Sequence, residues 1–143
     1  MTIRPRAVRA LRDARTRLRD VAAATHANAS AARDTSHLAL VHEQSRLEDY
    51  LDEATDLLAA AGNVHDLSQV GEITGVHKLE IADASARHDE AVARAETTAD
   101  DLRDRSRLLR RAEKLVERVD QDRARVEARG EQRLNDDITG SRR

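Results

Sequence analysis

The sequence predicts an all-α protein in which two long helices fold back as an antiparallel coiled-coil hairpin. Three observations predict it. First, the 143 residues carry 25 Lys and Arg against 27 Asp and Glu, and together with alanine and leucine these types fill 92 positions, the composition of long helices and coiled coils. Second, the strong helix breakers are confined: the only proline is Pro5, the first glycine is Gly62, and none of either type falls between Val76 and Arg129. Third, apolar residues recur every three or four positions along both uninterrupted stretches. A single tyrosine, with no phenylalanine and no tryptophan, excludes the aromatic-rich core of a compact domain of this length.

The first helix is expected over about 6–61, with Pro5 where a first turn tolerates it. Its seam reads Val8, Leu11, Arg15, Leu18, Ala22, Thr25, Ala29, Ala32, Ser36, Leu40, Gln44, Leu47, Leu51, Ala54, Leu58 and Ala61. The steps 32–36–40–44 are three fours in succession, a stutter that locally unwinds a supercoil. The turn is expected in about 62–75. Gly62 fits a left-handed position after the first helix, and Asn63 fits the cap of the next, with Asp66 three residues on. Gly71 and Gly75 weaken the stretch that follows, so the second helix starts at 64 or at 75. It runs to about 137 and leaves a frayed tail at 138–143. Its seam reads Leu67, Val70, Thr74, His77, Ile81, Ala84, His88, Ala91, Ala95, Thr98, Leu102, Arg105, Leu109, Ala112, Val116, Val119, Arg123 and Val126. A 3.5-residue repeat held for about eight heptads indicates a left-handed coiled coil. One hairpin domain over 1–143, with helices of roughly 80 and 100 Å, satisfies both seams within one chain. A monomer is therefore expected, with the second helix overhanging near the chain ends.

Charge is unevenly placed along the chain. Residues 1–20 hold seven arginines and two aspartates, residues 43–101 hold fifteen acidic and four basic side chains, and residues 103–143 hold thirteen basic and nine acidic. In a hairpin both basic segments meet at the terminal end, and the acidic segment forms the turn end. Such polarity acts on partner choice and association rate.

Several chemistries are excluded. The chain has no cysteine, hence no disulfide framework, thiolate–zinc cluster or thiol nucleophile. The six histidines, His26, His37, His42, His65, His77 and His88, include no pair three or four apart, the spacing that places two ligands on one helical face; Asp34-x-x-His37 stands alone. No metal and no cofactor is expected. Gly71-Glu-Ile-Thr-Gly75 lacks the Lys-Ser/Thr that would complete a phosphate-binding loop. A thin hairpin has no enclosed pocket in which to assemble a catalytic set, so no enzyme is expected. Nucleic acid is disfavoured, because there is no aromatic platform for bases and the acidic middle repels phosphate. No apolar run is long enough to span a bilayer, and Met1-Thr-Ile-Arg-Pro-Arg6 lacks the apolar region of a signal peptide, so a soluble cytoplasmic protein is expected.

The stretch from Leu115 to Asp137 resembles the end of the FliJ/YscO-type proteins of bacterial type III secretion. These close on a charged helix in which a glutamate is followed by a polar basic run and an acidic pair. Glu127, Glu131-Gln132-Arg133 and Asp136-Asp137 match that pattern. Length, two-helix layout, turn position and basic start agree over nearly the whole chain. The resemblance implies a non-enzymatic central stalk, similar to the shaft of rotary ATPases. Its terminal end enters the hexameric export ATPase, its turn end reaches the cytoplasmic domain of the export gate, and some members also handle export chaperones. On this sequence the ATPase side falls to Arg4, Arg6, Arg9, Arg12, Arg125, Arg129 and Arg133. The gate side falls to Val70, Ile73, His77 and Leu79, where the family often carries aromatic residues and this chain does not. The resemblance places such a protein in the cytoplasm, peripheral to the secretion apparatus at the inner membrane, and leaves flagellar and virulence-type systems undistinguished. Two other readings share the composition: a generic coiled-coil homodimer, and a helical-bundle adaptor with no ATPase partner.

Overall fold

The structure is a computed structural model that describes residues 4–140. It consists of two helices, α1 (Pro5–Ala61) and α2 (Val64–Gly140), packed against each other, with no strand among the described residues.

The connection is Gly62–Asn63 alone. α2 starts at Val64 and continues through Gly71 and Gly75. Each glycine costs a helix interior about 1 kcal/mol, and the half-buried seam residues Val70, Thr74 and His77 flank the two glycines. The cap is reciprocal. The Asp66 N–H donates to Asn63 Oδ1 at 3.0 Å and the Asn63 N–H donates to Asp66 Oδ2 at 3.2 Å, which satisfies two donors that a helix start leaves without partners. Gly62 differs from the expectation of a left-handed residue, because no glycine among the described residues has a positive φ. Its N–H donates to the Leu58 carbonyl at 3.0 Å, as in a continuing helix. The position needs glycine for space: a Cβ there would lie 2.6 Å from Leu58 O and 2.8 Å from Leu58 Cα. At the other end, the helix includes residues 138–140, which the sequence leaves to the tail. The Thr139 hydroxyl donates to the Asn135 carbonyl at 2.9 Å there. Residues 141–143 lie outside the described residues.

The chain divides into two compact units, to each of which both helices contribute: Met1–Ala23 with Asp101–Arg143, and Ala24–Asp100. In the first, Val8, Ala22, Leu109 and Ala112 are buried, and the Arg9 guanidinium donates to Asp120 Oδ1 across the helix pair at 3.0 Å. In the second, the buried residues are Ala54, Ala84 and Ala95, and much of the seam is polar. His26 Nδ1 lies 3.2 Å from Thr98 Oγ1 and His88 Nδ1 lies 3.1 Å from Ser36 Oγ. The rings of His37 and His88, and those of Tyr50 and His77, sit with centroids 5.4 Å apart. These pairings run antiparallel.

Along α2 every seam position from Val70 to Val119 is buried or half-buried. Along α1 the seam differs from the sequence expectation at alternate positions. Val8, Arg15, Ala22, Ala29, Ser36, Leu40, Leu47, Ala54 and Leu58 face inward, but Leu11, Leu18, Thr25, Ala32, Gln44 and Leu51 are exposed. Beside all of these but Ala32, the neighbours Arg12, Arg19, His26, Glu43 and Tyr50 are half-buried instead. The path 36–40–43–47 keeps the regular four–three step, so the stutter expected at 32–44 is not formed. Long arginine stems cover apolar surface, with the Arg19 Nε shielded from solvent without a hydrogen-bond partner and its Nη2 paired with Asp20 at 2.9 Å; His26 and Tyr50 find partners on α2.

Candidate partner-binding surfaces

The unit that holds both chain ends carries twenty basic and twelve acidic side chains, net +8, and the unit that holds the turn carries five basic and fifteen acidic, net −10. This division places the two candidate surfaces.

In the first unit, Arg4, Arg6 and Arg9 are exposed on α1, Arg12 is half-buried, and Arg125, Arg129 and Arg133 are exposed on α2. Arg9 is tied to Asp120, Arg12 forks onto the adjacent Asp13 at 2.7 and 3.0 Å, and Arg125 stands 3.8 Å from Asp122. Arg4, Arg6, Arg129 and Arg133 have no ion pair among the described residues. Because Arg9 faces Asp120, antiparallel stepping brings Pro5 level with about residue 124. Arg125 therefore comes level with the first turn of α1, while Arg129 and Arg133 lie one and two turns beyond it. Every side chain of 120–139 is exposed, and from about residue 125 onward α2 has no facing turn of α1. At about 100° per residue the three α2 arginines share one narrow stripe, whereas Arg4, Arg6, Arg9 and Arg12 spread over more than half the circumference of α1. On another side of α2 the guanidinium of Arg123 donates to Glu127 at 2.7 Å, and this bond with the carboxylate's charge raises its pKa above the usual value.

In the second unit, Val70, Ile73 and His77 fall within a sector of about 60° at 100° per residue, and Leu79 lies on the far side of α2. Val70 and His77 are half-buried toward α1, and the Leu79 side of the helix is exposed. The aliphatic residues Val64, Leu67, Val70, Ile73, Val76 and Leu79 recur every third position, so they wind once round the helix rather than forming one face. Val70 and Ile73 line a groove of about 420 Å³ with Tyr50, Leu57, Leu58 and Gln69. The structure thus brings three of the four residues together and separates the fourth. His77 Nδ1 and Glu80 Oε2, both shielded from solvent, lie 3.3 Å apart without a hydrogen bond, and Arg46 stands 3.7 Å from the same Glu80 oxygen.

The family described as flagellar FliJ protein matches residues 6–142. The chain belongs to the FliJ family. No curated protein and no solved structure matches it significantly. The family is that of a structural stalk component of flagellar export, and among the described residues no helix is long and apolar enough to cross a membrane.

Two features of this FliJ-family chain escape a reading by seam alone. Tyr50, its single aromatic residue besides the histidines, packs on His77 from the opposite helix and so links α1 to the turn-end surface. Arg111, Lys114, Leu115 and Arg118 line a shallow groove on α2. The signal for the groove is in the sequence, as basic residues spaced three and four apart on the face opposite Leu109, Ala112 and Val116, but a seam search passes over outward positions.

Proposed function

We propose that this protein is the central stalk of a type III export apparatus, binding the hexameric export ATPase through the unit that holds both chain ends and the export gate through the unit that holds the turn. The observation that carries this reading is the charge division, +8 in one unit and −10 in the other, on a chain of the FliJ family. Arg4, Arg6, Arg9, Arg12, Arg125, Arg129 and Arg133 engage a carboxylate-lined opening in the ATPase ring, and the attraction speeds association at low salt. None of them performs chemistry. A shaft that binds the assembled hexamer better than separate subunits favours the ring by mass action. Val70, Ile73 and His77 meet the gate on one side of α2, and Leu79, on its far side, can meet it only through a second contact. The protein then works in the cytoplasm, at the membrane-proximal apparatus, as a monomer that also meets export chaperones.

The test is stimulation of the cognate export ATPase. Reversing Arg4, Arg6 and Arg129 to glutamate, three side chains with no ion pair among the described residues, is expected to abolish stimulation with helicity unchanged. If that variant stays active while neutralising Asp49, Asp52, Glu53 and Asp56 abolishes stimulation, the ATPase end has been assigned to the wrong unit.

A further inference from the structure

A second cationic surface lies apart from the seven arginines assigned above. On α2, Arg107, Arg110, Arg111, Lys114 and Arg118 fall in a sector of about 100°, directly opposite the seam of Leu109, Ala112 and Val116. All five are exposed. Arg107 is held by Asp104 at 3.2 Å, but Arg110, Arg111, Lys114 and Arg118 have no ion pair among the described residues. The carboxylates nearest in sequence, Glu113 and Glu117, point off this sector and pair with none of them. Like charges at i, i+3 and i, i+4 destabilise a helix, and 110–114, 111–114 and 114–118 are three such pairs. Glu113, Glu117 and Asp122 stand three or four residues from Arg110, Lys114 and Arg118, but none forms an ion pair with these cations among the described residues. Arg111, Lys114 and Arg118 also frame a groove of about 250 Å³ with Leu115, which is 37% exposed.

We propose that this face docks an acidic amphipathic helix of another protein, its carboxylates meeting Arg110, Arg111, Lys114 and Arg118 and an apolar side chain seating against Leu115. The cations climb one turn at a time over about 12 Å, the rise of carboxylates at i, i+4 and i+8 on a partner helix. Arginine adds a fork that fits a carboxylate with two parallel bonds. A lipid surface fits less well, because interfacial helices insert a broad apolar face and this one offers Leu115 alone. A nucleic acid would meet no aromatic side chain on which to stack a base. The docked helix would lie along α2 as a third strand of the bundle. This inference does not depend on the ATPase reading, and its residues are none of those assigned to it.

The test uses the full chain and a labelled three-heptad helical peptide with glutamate at i, i+4 and a single leucine line, followed by fluorescence anisotropy. Changing Arg110, Arg111, Lys114 and Arg118 together to glutamine is expected to weaken binding at least tenfold with unchanged helicity. Arg4→Gln with Arg6→Gln and Arg129→Gln is expected to weaken it less than twofold, and Leu115→Ser at least threefold. A peptide with glutamine for glutamate should not bind. Equal loss from the Arg4/Arg6/Arg129 variant, or no loss from Leu115→Ser, overturns the proposed docking. Tighter binding of duplex DNA or of phosphatidylserine vesicles than of the peptide, lost in the same fourfold variant, identifies a polyanion site instead. Because no ATPase is present in the assay, its outcome is independent of the stimulation experiment.

Discussion

Leu109 is the position at which the packing argument is most exposed to measurement. Seven apolar residues are buried among those described: five alanines, Val8 and Leu109. Leu109, 8% exposed, is thus the largest side chain the hairpin buries. Leu109→Ala removes three carbons from water-excluded contact, which at about 0.8 kcal/mol per methylene is worth roughly 2.4 kcal/mol. The cavity contribution seen in globular cores should be small, because two helices leave a gap open to solvent rather than sealed. Alanine's better helix propensity returns about 0.2 kcal/mol. A loss of about 2 kcal/mol is therefore expected by urea unfolding followed at 222 nm. Leu134, on the stretch of α2 beyond α1 and 64% exposed, is the control, and Leu134→Ala should change stability by less than about 0.5 kcal/mol. Hydrogen exchange assigns the loss: Leu109→Ala should raise exchange within 5–23 and 101–120 first. If the two substitutions cost the same, or Leu109→Ala costs under about 0.5 kcal/mol, the seam assigned to the first unit is wrong.

Other outcomes follow from single contacts. Leu109→Asp or Val116→Asp should cost more than Leu109→Ala, since an unpaired carboxylate would enter the seam, and Arg110→Asp on the outer face should leave the unfolding midpoint nearly unchanged. Gly71→Ala, Gly75→Ala and Gly130→Ala should each stabilise by about 0.5–1 kcal/mol, because a Cβ at each meets nothing within 4 Å; Gly62→Ala should destabilise, its Cβ colliding with the Leu58 backbone. Asn63→Ala should cost about 1 kcal/mol, with Asp66→Ala adding little on top, because the two side chains close one reciprocal cap; amide exchange at 63–67 reads it. Ser36→Ala should cost about 1 kcal/mol or less, the value of the His88 bond, and leave the first unit's exchange unchanged.

The all-α hairpin and the place of its turn are written in composition and punctuation: no breaker between Pro5 and Gly62, then Gly62–Asn63 with Asp66, then a seam on α2 that stays inward from Val70 to Val119. These depend on short-range geometry, which one chain segment carries by itself. The family resemblance was also legible, in the charged run from Glu127 to Asp137. The inward face of α1 was decided by the other helix. Leu11 and Leu18 look like seam residues on hydropathy, but one step round the helix Arg12 and Arg19 lay apolar stems inward, and His26 and Tyr50 meet partners that only the antiparallel register supplies. The same register separates the candidate residues: Arg129 and Arg133 extend past α1, and Leu79 turns away from Val70 and His77, because a third-residue repeat drifts about 60° per step against the helical period. Gly62 shows the distinction at one residue. The sequence marks a place that needs glycine, and the clash that any Cβ there would make with the Leu58 backbone, not a left-handed dihedral, is the reason.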